Sequence, residues 1–250
     1  MHFRRFILPF SRQSPPGLVT FDALHTLLEL KGPSTALVYC GLIKKKFNVD
    51  VNPVLLEPAY KQSWINLKAE IPCYGIELGY KIDEWWYKFV EKSLETSVAL
   101  PAQRHEMAVY LVSELRKPEY WHLLDGSLDV IRRLSEAGVE MGIVSNCDDR
   151  LPSLLDQFSI HKYFNFVYTP VNMKIEKPDP EIFERVLDGR DFLLDGGNFG
   201  VHVGDELMED YIAPRQVGLK SILLTTNVRH SWIRDKVTSM RDLAQCLFDS

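Results

Sequence analysis

The sequence predicts an α/β fold in which a parallel sheet, covered by helices on both faces, is interrupted by an inserted helical module. Three observations carry this reading. Apolar runs recur along the chain and close on polar residues, amphipathic helices separate them, and the spacing between about Lys31 and His122 is helical throughout with no convincing strand. Strands buried on both faces read as near-continuous apolar runs, and their alternation with helices is the mark of parallel pairing.

The elements follow in order. "MHFRRFILPFSRQSPP" carries Arg4, Arg5 and Arg12 and no acid. That is the composition of a mitochondrial transit segment, and equally that of a frayed basic terminus lying against a domain. Mitochondrial, cytoplasmic and nuclear placements all stay open on it, and so does its cleavage. Pro15, Pro16 and Gly17 separate it from the first strand, "LVTF", which ends in Asp22. The insert is expected over residues 33–122. In it "TALVYCGLIKKKF" keeps Tyr39, Ile43 and Phe47 four apart, and "IDEWWYKFVEKSL" groups Trp85, Trp86, Phe89 and Val90 opposite Lys88, Glu91 and Lys92. The helical period accounts for these aromatic residues as packing rather than as a ligand cage.

The sheet is expected to resume over residues 123–250, joining residues 17–32 in one core. "SLDVIRRLSEAG" sets Leu128, Ile131 and Leu134 on one face and stops at Gly138. "GVEMGIVSN" is a strand closing on Ser145 and Asn146. "FNFVYT" is a shorter strand. "KPDPEIFERVLD" starts a helix with Asp179 as N-cap and Pro180 as first helical residue. "GVHVGDE" closes on Asp205, and "LKSILLTT" completes the set.

Composition narrows the function. The chain has 250 residues, 46% of them hydrophobic, which is enough for one large core with an accessory unit. Lys and Arg number 29 against 34 Asp and Glu, a net charge of −5, so no basic field is available for nucleic acid. Cys40, Cys73, Cys147 and Cys246 stand far apart with no CxxC pair, which gives zinc no spacing and suits a reducing compartment. No apolar run is long enough to span a membrane.

In an open parallel sheet, ligands bind where the carboxyl ends of the strands meet helix N-termini. Asp22, Ser145 with Asn146, and Asp205 with Asp210 fall at those ends. Three converging carboxylates repel one another, so the set takes up a proton or holds a cation. Mg2+ is the expected ion, being hard, partly hydrated and a bridge to phosphate. Lys177 and the Ser145 hydroxyl then supply charge and a donor to phosphate oxygens, and Asp22 is the expected nucleophile. Asp148 and Asp149 are expected to cap the next helix, and Glu206 and Glu209 to sit in the first turn of another.

Four motifs in this order resemble the haloacid dehalogenase superfamily: "FDALHTL", "IVSN", "KIEKPDPEIF" and "HVGDELMEDYIAPRQVGL". The resemblance runs from Leu18 to about Thr226. It implies a Rossmann-like core with an α-helical cap inserted after the first motif. It also implies Asp22 as nucleophile and Thr26 at the polar position following it. Ser145, Asn146 and Lys177 would meet phosphate, and Asp205 would ligate Mg2+ with Asp210 as ligand or supporting residue. The implied partner is a small phosphorylated metabolite, taken up by a monomer or weak dimer.

One position departs from the pattern. Phosphatases of this superfamily carry a second aspartate two residues after the nucleophile, which moves the proton of the leaving alcohol; here it is Leu24. The backbone carbonyl of Leu24 can still ligate Mg2+, but its side chain cannot transfer a proton, and such help is worth about a hundredfold to ten-thousandfold. The resemblance therefore implies a slow or specialised phosphatase, for which His25 is the nearest substitute donor. Two alternatives remain beside it. One is a dehalogenase, whose nucleophile attacks carbon without a metal; the other is a weak or inactive fold that serves as a binding or assembly partner.

Overall fold

The computed structural model describes residues 16–190 and 199–248. The basic N-terminal segment, Pro16 excepted, lies outside the described residues. The chain divides into two compact units. One comprises residues up to Glu29, residues 123–147 and residues from 151 onward; the other comprises residues 30–122 with 148–150.

The first unit is built on a six-stranded sheet. Its strands are β1 (Leu18–Phe21), β4 (Glu140–Val144), β5 (Phe166–Tyr168), β6 (Gly200–Gly204), β7 (Lys220–Leu224) and β8 (Lys236–Val237), in the order β5-β4-β1-β6-β7-β8. Every pairing is parallel. β1 is wholly buried between β4 and β6. The crossovers leave β1 on opposite sides toward β4 and β6, the arrangement that opens a crevice at the strands' carboxyl ends.

Helices α5 (Ser127–Glu136), α6 (Leu151–Gln157), α7 (Pro170–Met173), α8 (Glu181–Leu187), α9 (Ala213–Gln216) and α10 (Met240–Phe248) complete this unit. α5 buries Val130, Ile131 and Leu134 and ends before Gly138, whose φ of 71° suits a glycine. Ile182, Phe183 and Val186 of α8 pack with Leu18, Val144, Ala213 and Leu219. Pro180 is the N-cap of α8, one residue later than the sequence suggested, and Asp179 Oδ1 accepts the Glu181 N–H at 3.0 Å.

The second unit holds α1 (Thr35–Phe47), α2 (Pro53–Glu70), α3 (Ile82–Leu94) and α4 (Pro101–Leu115). Trp85, Trp86, Phe89 and Val90 are buried as their spacing foretold. They form an aromatic cluster in which Trp85 stacks on Phe89 and meets Trp64 and Tyr74 edge-on. The Trp85 indole N–H donates to the Ile71 carbonyl at 2.9 Å.

One reading needs correction and another needs extension. β2 (Leu28–Leu30) and β3 (Trp121–Leu123) form a separate two-stranded sheet where the chain passes between units, and three-residue strands leave no period to detect. Asp148 and Asp149 do more than the capping expected of them: Asp148 Oδ1 does accept the Arg150 N–H at 2.9 Å just ahead of α6. Asp148 is fully buried, accepts the Trp86 indole N–H at 2.5 Å and pairs with Arg150 at 2.8 Å, while Asp149 pairs with Arg116. A carboxylate buried among aromatic rings needs such partners, and the guanidinium of Arg150 sits 4.7 Å from the Trp86 ring centroid.

Candidate active site

Asp22 follows β1 directly, and its N–H donates to the Val203 carbonyl at 2.8 Å, so the residue is pinned beside the end of β6. Asp205 follows β6. Asp210 lies in the π-helical turn Leu207–Ile212, and its N–H donates to the Glu206 carbonyl at 2.8 Å. Gly204 lets that turn fold back: a Cβ there would stand 2.2 Å from Asp210 Cγ. The three carboxylates each bring an oxygen to within 4.8 Å of the others.

Lys177 is 1% exposed, and its ammonium bridges Asp22 Oδ1 at 2.7 Å and Asp210 Oδ1 at 2.6 Å. Asn146 fixes the loop that carries it. Its amide donates to the Lys177 carbonyl at 2.7 Å and accepts the Lys177 N–H at 2.8 Å. The same amide nitrogen donates to Glu209 Oε2 at 2.8 Å. The sequence suggested phosphate for Asn146; the structure engages its side chain in holding Lys177 and Glu209, a two-sided amide clamp that uses both its donors and its acceptor.

Ser145 is buried after β4, and its Oγ accepts the Cys147 N–H at 3.3 Å, which leaves the hydroxyl proton to donate. Thr26 is buried and reaches Asp205 Oδ1 at 3.4 Å. Leu24 is half-buried. His25 is exposed, with φ of 58° and Nδ1 3.9 Å from Glu29, a weak pairing that does not tie it to the carboxylates.

One residue escaped the sequence reading. His202, in the middle of β6, is fully buried, with Nδ1 2.8 Å from Thr20 Oγ1 and Nε2 3.0 Å from Asp210 Oδ1. The signal available was a lone polar residue within an otherwise apolar strand.

The charges do not balance within the chain. Burial, followed by the repulsion of Asp22 and Asp210, pushes the Asp205 carboxyl up to about 8. Burial also raises Asp22 despite Lys177. Asp210 goes the other way, because Lys177 and His202 outweigh the cost of its burial. Lys177 is held charged in spite of burial by Asp210 and Asp22. Three carboxylates thus face one ammonium: without a metal the set keeps protons, Asp205 above all, and fully ionised it would carry two negative charges in excess on hard oxygen donors. A divalent oxygen-seeking cation such as Mg2+ fits that set.

Known proteins agree with this architecture. A sequence profile of haloacid dehalogenase-like hydrolases matches residues 79–224. The chain belongs to that family. It is 29% identical over 208 residues to haloacid dehalogenase-like hydrolase domain-containing protein 3 of Xenopus laevis, covering 83% of each chain. Among solved structures it superposes on the HAD-hydrolase YfnB of Bacillus subtilis bound to magnesium, with a TM-score of 0.67 and 17% identity over 94% of this chain and 99% of the other. It also superposes on 2-haloacid dehalogenase of Pseudomonas syringae, with a TM-score of 0.56 and 17% identity over 93% and 98%. At that identity the structural likeness speaks for the α/β fold of the family. Among the described residues no helix is long and apolar enough to cross a membrane.

Proposed function

We propose that this family member is a Mg2+-dependent phosphatase that works through a phosphorylated Asp22, specialised for leaving groups that depart without a proton from the enzyme. The observation that carries the reading is the convergence of Asp22, Asp205 and Asp210 beside the single ammonium of Lys177, a set that needs a cation before all three can ionise. A dehalogenase, attacking carbon, gains nothing from two further carboxylates beside its nucleophile, since they oppose the approach of an anion.

Asp22, Asp205 and the backbone carbonyl of Leu24 would hold the Mg2+, with Asp210 as ligand or support. When bound, the ion neutralises the pair of anions that must meet. The chain's own groups do the rest. A carboxylate oxygen of Asp22 attacks phosphorus as the bond to the leaving oxygen breaks, and Lys177, 2.7 Å from Asp22 Oδ1, offsets the charge gathered there. The Ser145 hydroxyl supplies a donor to a phosphoryl oxygen. Water then attacks the acyl phosphate, releasing inorganic phosphate and restoring the Asp22 carboxylate.

No proton reaches the leaving oxygen from residue 24. Acyl phosphates and esters of acidic phenols, whose leaving groups are stable as anions, are the substrates that tolerate this. The 33–122 insert is assigned as the cap that would choose among them and exclude water.

The test incubates the pure chain with Mg2+ and a panel of acyl, aryl and alkyl phosphates, beside Asp22→Asn. Expected is phosphate release that ranks with the acidity of the leaving group and vanishes in the variant. Beryllium trifluoride, a mimic of phosphoryl-aspartate, should raise the melting temperature of the wild type alone. Absence of turnover together with absence of that stabilisation would replace the enzyme by a binding or assembly protein.

A further inference from the structure

His202 opens the fourth motif but has no role assigned to it there, and it does not touch the nucleophile. An imidazole inside a parallel sheet is costly unless both ring nitrogens are partnered, and a valine or isoleucine would fill the strand equally well. Both nitrogens are partnered here. The question is what that arrangement does that an apolar side chain would not.

The register of the sheet supplies the answer. Thr20 and His202 are direct partners across β1 and β6. Side chains two residues apart share a face of a strand, so the next rung above this pair is Asp22 beside Gly204. Gly204 has no side chain, and the Asp210 carboxyl occupies the space its Cβ would fill. Asp210 is thereby laid on top of His202. Its Oδ1 accepts from His202 Nε2 at 3.0 Å and from Lys177 Nζ at 2.6 Å, and its Oδ2 accepts the Glu206 N–H at 2.9 Å. Three donors fix the plane of the carboxylate, and Lys177 passes that orientation on to Asp22.

The direction of each bond follows from the chemistry of the groups. A carboxylate only accepts, so Nε2 carries the proton. Nδ1 of the neutral ring then accepts, so the Thr20 hydroxyl donates. The ring of Phe183 packs edge-on against the imidazole, centroids 4.9 Å apart, and restricts its rotation.

We propose that His202, held in its Nε2–H form by Thr20, is a positioning residue that orients Asp210 and, through Asp210, Lys177. A line of bonds, Thr20 to His202 to Asp210 to Lys177 to Asp22, thus connects the floor of the sheet to the nucleophile. The inference rests on the magnesium reading above in only one arm of its test.

The first arm is the long-range 1H–15N NMR of the metal-free full chain, in wild type and Thr20→Val. Expected is an Nε2–H tautomer with unprotonated Nδ1 in the wild type, and loss of that single form in Thr20→Val. An Nδ1–H tautomer, or a doubly protonated ring, in the wild type overturns the proposal. The second arm is calorimetric titration with Mg2+ of wild type, His202→Gln and His202→Leu. Loss of an outer hydrogen bond of this kind typically weakens metal binding about 10- to 100-fold. Leu should show that loss, while Gln, whose amide nitrogen can stand where Nε2 stands, should stay within about threefold of wild type. Gln binding as weakly as Leu while melting with the wild type overturns the proposal. If the wild type takes up no Mg2+, the magnesium reading falls and the tautomer decides this one alone.

Discussion

Replacing Lys177 by Met isolates the charge of the ammonium from the shape of its stem. The residue is 1% exposed, and its nitrogen lies 2.7 Å from Asp22 Oδ1 and 2.6 Å from Asp210 Oδ1. Met is close in length and flexible enough to fill the same channel, so little packing is lost. What remains is a set of buried carboxylates without their cation. Breaking a buried pair by removing one partner costs about 3–5 kcal/mol. The carboxyls can escape part of that cost by binding protons. In the variant the folded-state pKa of Asp22 rises further above its unfolded value, so the folded chain keeps protons that the unfolded chain releases. Stability therefore falls as pH rises from about 4 through the folded pKa, and the substitution costs more at pH 8 than at pH 5. For a chain of this length each kcal/mol moves the melting temperature by about 2–4 °C, so the expected drop at pH 8 is about 6–20 °C. At pH 5 it should be roughly half of that or less. Scanning calorimetry of metal-free wild type and variant at the two pH values measures both. A drop that is equal at pH 5 and pH 8, or one below about 2 °C at pH 8, would refute the view that Lys177 is the charge that holds these carboxylates together.

Two further substitutions probe neighbouring parts of the site. Leu24→Asp should raise the hydrolysis of alkyl phosphates about 10²- to 10⁴-fold, and that of an acidic phenyl phosphate much less, read as phosphate release; equal or absent gains would show that proton delivery at position 24 is not what limits the rate. Gly204→Ala places a Cβ 2.2 Å from Asp210 Cγ and 2.4 Å from its Oδ2, in a carboxyl held by three donors. It should cost about 1–3 kcal/mol of stability and weaken Mg2+ binding, seen by melting and titration; a variant that matches the wild type in both would show that the carboxyl has room to move.

The elements that the sequence revealed are those with a strong local period or a strong chemical contrast. β1, β4, β6 and β7 show as apolar runs, and Asp22, Ser145 and Asp205 stand out because a charge or hydroxyl ends each run. α3 shows because Trp85, Trp86, Phe89 and Val90 repeat at helical spacing. Asp148, by contrast, lies in the loop after β4, much as Asp22 and Asp205 follow β1 and β6. Only the fold distinguishes them: Asp148 is met by Arg150 and the Trp86 indole, whereas Asp22 and Asp205 are brought toward each other. Sequence position alone could not tell a carboxylate neutralised by a neighbouring guanidinium from carboxylates gathered into one cluster. The engagement of Asn146 was hidden for a related reason, since its neighbour Ser145 suggests phosphate, while Lys177, whose backbone its amide clamps, is 31 residues away.

The same contrast explains why Leu24 and His202 must be considered together. The site separates two tasks that phosphatase chemistry joins, the neutralising of charge and the movement of protons. Charge is organised thoroughly: Lys177 bridges two carboxylates, Asn146 clamps the loop behind it, and Asp210 accepts three hydrogen bonds. Among the described residues, neither residue 24 nor either neighbouring histidine is arranged to move a proton. Leu24 carries no acid, His25 is exposed and only loosely paired with Glu29, and His202 is buried beneath Asp210 with both nitrogens engaged. On the proposed phosphatase reading, a site that orients anions this tightly, with no acid at position 24, would favour chemistry in which the leaving group's own stability replaces that acid. That preference can be measured as the slope of rate against leaving-group acidity, and the slope should flatten when an aspartate is installed at position 24.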